Sequence, residues 1–437
     1  MKLTQSSFFE QMEKLWPHRQ SNRFAVGVSG GSDSLALAVL CKVWFASKAA
    51  EFEALVVDHQ LRSESGQEAT ETASQLQLLG IRATVIASDA KTQSGSFQLK
   101  ARKARFEGLV DYCNRNVIQQ LLLGHNLDDQ VETFLLRLES GSQLLGLAAM
   151  PAIAGQLPNL SIWRPLLPFH KSETADFLRE QKITWIEDPS NQKTVNGRIW
   201  FRKNKAALVR EGIAQASIIS VVNELGRWRS KQQSVVNEFV EKQVTQSCFG
   251  WASLEARSIK GIPSFQRTTL FTQLISWIRN SYQPLSGSNL EQLAKWLSDL
   301  NTKSKHLTLG GCLLSYRHGR IFVCREERNL RHSATNQPNS LLWDQRFLLE
   351  GIGASNSRLA PLTANGWSQL EHLQREQLLE LMPKEAAYTL PCFWNISQLT
   401  SPQLPNLQHH SREIVAEGPR LTFLSNTNLL TPTFLVV

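Results

Sequence analysis

Phe24-Ala25-Val26-Gly27-Val28-Ser29-Gly30-Gly31-Ser32-Asp33-Ser34-Leu35-Ala36-Leu37-Ala38-Val39-Leu40 reads as a buried strand, a small polar loop and an apolar helix with nothing between them. Two adjacent glycines let the backbone approach a ligand with no Cβ in the way. The helix that follows aims its unpaired N–H groups and the positive end of its dipole at the same place, so phosphate is the natural guest. The loop differs from a Walker A loop, which carries Lys after its last Gly, and from the Gly-x-Gly-x-x-Gly turn. It carries Asp33 instead. An acid beside phosphate oxygens repels them unless a cation lies between, which places Mg²⁺ on Asp33. The plainer alternative is a Gly-Gly turn with Ser and Asp as helix caps. A cap needs one such residue, whereas Ser29, Gly30, Gly31, Ser32, Asp33 and Ser34 run together.

Outward from the loop, short apolar runs at Phe24 to Val28, Ala54 to Val57, Ala83 to Ile86 and Leu121 to Leu123 alternate with helical patterns up to about Leu167. That alternation predicts an α/β domain built on a parallel sheet with crossover helices. Ligands of open α/β sheets bind beyond the C-terminal ends of the strands. The chemistry is therefore expected from Ser29 to Ser34, from Asp58 and His59, and from Gly124 and His125 onward. Asp58 and His59 end the second strand, beside the loop, where they suit an adenine nucleotide or its metal.

Three further clusters fall on or near this edge. Arg102 and Arg105, three apart on a predicted helix, share a face and suit a polyanion. In Gly124-His125-Asn126-Leu127-Asp128-Asp129-Gln130-Val131-Glu132-Thr133 a strand turns into a helix, with Asp128 and Glu132 on one face and Asp129 adjacent. Acids there cap a helix, but several together also suit a cationic amine. After Asp188-Pro189-Ser190-Asn191 the chain becomes basic and aromatic. Arg198 and Arg202 flank Trp200 and Phe201, a pattern that grips single-stranded RNA by phosphate contact and base stacking or, on the bland reading, places two aromatics in a core.

The chain has 437 residues, 42% hydrophobic, which predicts two or three domains. Boundaries are expected at 1–213 for the catalytic domain, 214–330 for a mainly helical module ending in a β-hairpin, and 331–437 for a mixed C-terminal module. The helical reading rests on Val221 to Phe239 and Phe265 to Tyr282, and the hairpin on Leu307 to Leu314 and Arg320 to Cys324. A net charge of +9 fits a polyanionic partner, though taken alone it is better explained as solvated surface charge. The six cysteines include no Cys-x-x-Cys pair, which argues against zinc, an iron–sulfur cluster or a redox dithiol and for a reducing, cytoplasmic setting. No signal-length or membrane-length apolar run is read, so no membrane partner is expected.

Taken in order, these segments resemble the tRNA(Ile)-lysidine synthetase family of the PP-loop ATP pyrophosphatase group. Ser29 to Ser34 resembles the group's Ser-Gly-Gly-x-Asp-Ser loop. Val57 to Ser65, Ala101-Arg102 with Arg105, Gly124 to Thr133, Arg164-Pro165-Leu166-Leu167 and Asp188 to Asn191 look like the narrower family's motifs. The resemblance implies an adenine nucleotide alpha hydrolase-like catalytic domain using ATP and Mg²⁺. It implies that the wobble cytidine of the CAU anticodon in tRNA(Ile) is adenylated through its C2 oxygen, and that free L-lysine then displaces AMP.

Transferred to this chain, the loop residues with Asp58 and His59 hold ATP, and Asp33 holds the metal. Arg102 or Arg105 faces the cytosine or its phosphate, His125 touches phosphate or shuttles a proton, and Asp129 and Glu132 take lysine. Arg198, Trp200 and Arg202 meet the tRNA. The sequence leaves oligomeric state open, a homodimer included. Departures from the family are Gln143 and Ala149 where Gly is usual, Phe106 for Tyr, Arg198-Ile199 for Arg-Asn, and no basic C-terminal motif. Other readings are a PP-loop tRNA thiolase and an amidotransferase-coupled synthetase, for which the cysteines are poorly placed, and a non-catalytic RNA-binding relative.

Overall fold

The structure is a computed structural model. It describes residues 2–58, 65–87, 97–142, 144–157, 160–186, 214–280, 285–300, 306–328, 330, 332–334, 340–344, 346–351, 357–395, 402–403, 406–409, 412–413 and 420–423. The chain forms two compact units, Met1–Lys231 and Gln232–Thr431.

In the first unit, β1 (Arg23–Val28), β2 (Glu51–Asp58), β3 (Ala83–Ala87), β4 (Gln120–Leu123), β5 (Ile153–Leu157) and β6 (Leu160–Trp163) form one sheet in the order β3-β2-β1-β4-β6-β5. All pairs are parallel except β5 with β6. The helices are α1 (Gln5–Leu15), α2 (Ser32–Ala46), α3 (Ser65–Leu78), α4 (Phe97–Arg115), α5 (Leu127–Glu139), α6 (Leu144–Leu147) and α7 (Lys171–Glu180).

Alternation along β1 divides the core. Phe24, Val26 and Val28 join one cluster with Phe8, Leu37 and Leu178, while Ala25 joins Leu109, Cys113 and Leu121 on the other face. Each large apolar side chain so buried contributes about 1.5–3 kcal/mol. Burial on both faces is why these strands read as continuous apolar runs. The four expected strands are present. The sheet also contains β5 and β6, and β6 is buried along its whole length.

β1 pairs with β2 on one side and β4 on the other, so the strand order reverses there. That reversal opens a crevice at the C-terminal ends of β1 and β4. Gly27 fits there because a Cβ would lie 2.9 Å from Leu123 Cδ2.

The second unit starts within α8 (Gln215–Gln243) and contains β7 (Val244–Ser247), β8 (Trp251–Glu255), α9 (Ser264–Ile278), α10 (Gly287–Ser298), β9 (His306–Leu309), β10 (Cys312–Arg317) and β11 (Arg320–Arg325). The helices expected over Val221 to Phe239 and within Phe265 to Tyr282 are there, but they pack on a five-stranded antiparallel sheet larger than the hairpin read from the sequence. The run from Leu307 to Leu314 is itself a hairpin, turned at Gly310 and Gly311 with φ of 57° and 77°. Further on, antiparallel strands such as Ser340–Trp343 and Phe347–Glu350 accompany the helix His372–Leu381. No described helix is long and apolar enough to cross a membrane.

Candidate active site

The loop between β1 and α2 is laced by its own residues. The Ser29 N–H donates to Ser34 Oγ at 3.0 Å, and Ser34 Oγ lies 3.1 Å from the Gly31 carbonyl it donates to. Gly30 has φ of 80° and its carbonyl accepts from the Ile186 N–H at 3.0 Å. A Cβ at Gly30 would sit 2.8 Å from Thr72 Oγ1. Gly30 therefore serves the turn and its packing. Gly31 is different: it caps α2 at φ of −76° with no side-chain hydrogen bond, and a Cβ there would meet nothing nearer than Ser29 Oγ at 3.8 Å. The first turn of α2 thus presents backbone N–H groups beside a glycine whose missing side chain leaves room, the arrangement an anion site needs.

Asp33, in that first turn, faces two other elements. The Thr174 hydroxyl on α7 lies 2.6 Å from Asp33 Oδ1 and donates to it, and the Asn126 side chain lies near enough to favour the charged carboxylate. Burial raises the Asp33 carboxyl above its ordinary 3.8, and the Asp128 charge adds to this. The Thr174 hydrogen bond, the Lys171 charge and the Asn126 side chain pull the other way.

Asp128 fastens three elements. It accepts from the Lys171 N–H at 2.8 Å and from Gln215 Nε2 at 3.2 Å, and lies 3.6 Å from His170 Nδ1. At the same helix end Asn126 and Asp129 form a reciprocal capping box, each side chain bonded to the other's N–H at 3.0 Å. Glu132, one turn on, is buried. Gly124 lies against the loop: a Cβ there would be 3.0 Å from Asp33 C, Ser34 Cα and Ser34 N. His125 is half-buried with its N–H on the Leu123 carbonyl at 2.9 Å.

The fold therefore brings Ser29 to Ser34 together with His125, Asp128, Asp129 and Glu132 at one sheet edge. Asp58 ends β2, next to β1, and accepts from Ser65 Oγ at 2.6 Å. Arg105 is half-buried on α4, and Arg102 lies on the same helix with its side chain outside the described atoms. His59, Arg198, Trp200 and Arg202 lie outside the described residues, as does Gln143. Ala149 has φ of 51°, the left-handed conformation that explains a glycine preference at that position.

A family model described as a PP-loop domain matches residues 4–207. The tRNA(Ile)-lysidine synthase of Ruegeria pomeroyi is 31% identical over 88% of this chain and 89% of its own. This chain belongs to the tRNA(Ile)-lysidine synthase family. The Orientia tsutsugamushi member is 27% identical over 95% of this chain and 96% of its own. Among solved structures, the U34-tRNA thiolase NcsA from Methanococcus maripaludis overlaps with a TM-score of 0.43 and 16% identity, over 51% of this chain and 78% of that one. The protein is a PP-loop, ATP-using enzyme of tRNA modification.

At this site, Lys171 and Thr174 stand at the loop unannounced by the sequence, and Gly124 and Asn126, inside the expected acidic segment, had no role of their own read from it. His170-Lys171-Ser172-Glu173 carries the available signal. Glu173 bonds the His170 N–H at 2.7 Å, a reciprocal cap that marks a helix start, though nothing local says what that helix faces. Arg164-Pro165-Leu166-Leu167 brings the chain back: Leu166 and Leu167 enter the core, Arg164 bonds the Pro151 carbonyl at 3.0 Å, and the Phe169 carbonyl accepts from the Leu127 N–H at 2.8 Å.

Proposed function

We propose that the enzyme joins free L-lysine to C2 of the wobble cytidine in the CAU anticodon of tRNA(Ile). In this scheme the cytosine C2 oxygen attacks the α-phosphorus of ATP and diphosphate leaves. The lysine ε-amine then attacks C2 and AMP leaves. The observation that carries the reading is the juxtaposition of the anion-binding start of α2 with the acid-bearing start of α5, through Asp33, Asn126 and Gly124. One step needs phosphate held and the other needs a cationic amine held, and these neighbouring helix ends suit the two needs. The names of the relatives support the choice of tRNA and product.

The α2 N–H groups would stabilise charge on the departing diphosphate. Asp129 and Glu132 would orient lysine's amino groups, and a carboxylate there would accept the ε-amine proton during attack. His125 would reach phosphate or relay a proton, and Arg102 or Arg105 would polarise the cytosine carbonyl or hold its phosphate. Arg198, Trp200 and Arg202 would bind the tRNA, and Asp58 and His59 the adenine nucleotide.

Mg²⁺ fits Asp33. A buried carboxylate beside the Asp128 charge gains from a hard divalent cation, which needs one or two carboxylates together with substrate phosphates. That ion would offset charge on the diphosphate.

The test is incorporation of labelled lysine into CAU-anticodon tRNA(Ile) with ATP and Mg²⁺, against elongator tRNA(Met). Labelling of the first alone is expected. Diphosphate release without lysine transfer would refute lysine as the nucleophile, and no turnover would refute the reading altogether.

A further inference from the structure

The second unit holds a cavity of about 620 Å³ that no step above uses. One wall is built by a tight turn. His318 and Gly319 both take positive φ, 49° and 75°, and the Gly319 carbonyl accepts from the Ala256 N–H at 2.8 Å. This pins the β10–β11 turn to the short 3-10 turn Ala256–Ile259, while α9 contributes Arg267.

Four cationic side chains line the cavity, Arg257, Lys260, Arg267 and Arg320, against one carboxylate, Glu255. Glu255 serves two of them, at 2.5 Å from Arg257 Nε and 4.0 Å from Arg320 Nη1. Arg320 is held further by Ser253 Oγ at 2.9 Å. Lys260 and Arg267 are different. Neither side chain pairs with a carboxylate among the described residues, and the buried Arg267 Nε–H meets no acceptor there. Two uncompensated cations in one cavity match a phosphate dianion.

The rest of the lining has another character. Ile259, Leu297 and Leu300 are apolar, and Tyr316 adds an aromatic ring. Cavities of this size that mix an apolar lining with a few charged groups take small organic ligands, and an aromatic ring is a platform for a nucleobase.

We propose that this cavity binds a nucleotide, its phosphate on Lys260 and Arg267 and its base against Tyr316. The site lies in a different unit from the PP loop and does not depend on the reaction proposed above. Two sources offer the same chemistry, a free nucleoside monophosphate and a nucleotide within an RNA strand.

The experiment is photolabelling of the full-length protein with 8-azido-AMP, followed by peptide mapping. Label is expected on the peptide carrying Tyr316. It should fall at least tenfold in Arg267→Met and in Lys260→Met, with label on the peptide carrying Ser29 to Ser34 unchanged. Lys260 is exposed, so its variant keeps the test valid if Arg267→Met misfolds. Competition by AMP and by a single-stranded oligoribonucleotide separates the sources. Matching potency identifies the free nucleotide, and stronger competition by the strand identifies RNA. Label confined to the first unit, or label at Tyr316 indifferent to both variants, would overturn the proposal.

Discussion

Gly124→Ala tests whether the approach of the β4–α5 junction to the PP loop sets the geometry of catalysis. The added Cβ would lie 3.0 Å from each of Asp33 C, Ser34 Cα and Ser34 N. Favourable contacts between such atoms lie at about 3.5–4.0 Å, so the two segments must part by about 0.5–1 Å. All three neighbours are backbone, and no rotamer change relieves the clash. Overpacking of this kind costs about 1–3 kcal/mol of stability. The displacement falls on the turn that carries Asp33, and misplacing a reacting group by 1 Å costs up to about 100-fold in rate. Diphosphate release from ATP, measured with tRNA present, should therefore fall by about 10- to 100-fold in kcat/KM. Urea unfolding should show the lower stability. A variant with wild-type turnover and unfolding midpoint would refute the argument that this contact positions the loop.

Gly31→Ala should behave in the opposite sense. Its φ of −76° and the open space around it predict stability within about 0.5 kcal/mol of wild type, while KM for ATP rises at least about tenfold if phosphate needs the room; an unchanged KM would remove Gly31 from the phosphate site. Thr174→Val removes the hydroxyl donor from Asp33 and should cost about 1–3 kcal/mol in unfolding experiments, with Thr174→Ser restoring most of it. For the pH dependence, burial raises the Asp33 carboxyl in the folded protein, so the native state holds a proton that the unfolded chain has released just above pH 3.8. The stability contribution of Asp33 must then fall as pH rises from 3.8 through the raised value. Urea midpoints of wild type against Asp33→Asn across that window should show the slope vanish in the variant. Glu132→Gln should leave diphosphate release intact and slow lysine transfer by about tenfold or more; equal loss in both steps would take Glu132 out of the lysine site.

Fold class and the phosphate loop were legible because their causes are local. β1, β2 and β4 are buried on both faces, so they appear as apolar runs that need no partner to be recognised. Gly30 and Gly31 advertise a backbone conformation and a vacancy that only glycine supplies. β5 and β6 escaped notice because Gly155 and Gln156 interrupt the one and Ser161 the other, so neither shows the unbroken apolar run by which β4, no longer than β6, is recognised. The antiparallel sheet of the second unit was under-read because polar residues break β7 at Thr245 to Ser247 and β8 at Ser253 and Glu255.

The sequence alone determined that a strand delivers Ser29 to Ser34 to the start of a helix, that acids cluster at the start of another, and which family's ordered motifs the chain carries. Only the tertiary structure decided what Asp33 touches. Thr174 is 141 positions away, and its meeting with Asp33 follows from the parallel order β1-β4-β6 and from the turn after β6 that sends α7 back beside α2. Gly124 illustrates the same limit: its sequence neighbours mark it as a turn, whereas the backbone that excludes a Cβ belongs to residues 33 and 34. Local propensity is carried by adjacent residues and can be read from them, but the environment of a site is made by strand order, which brings distant residues together through the burial of surfaces they do not share.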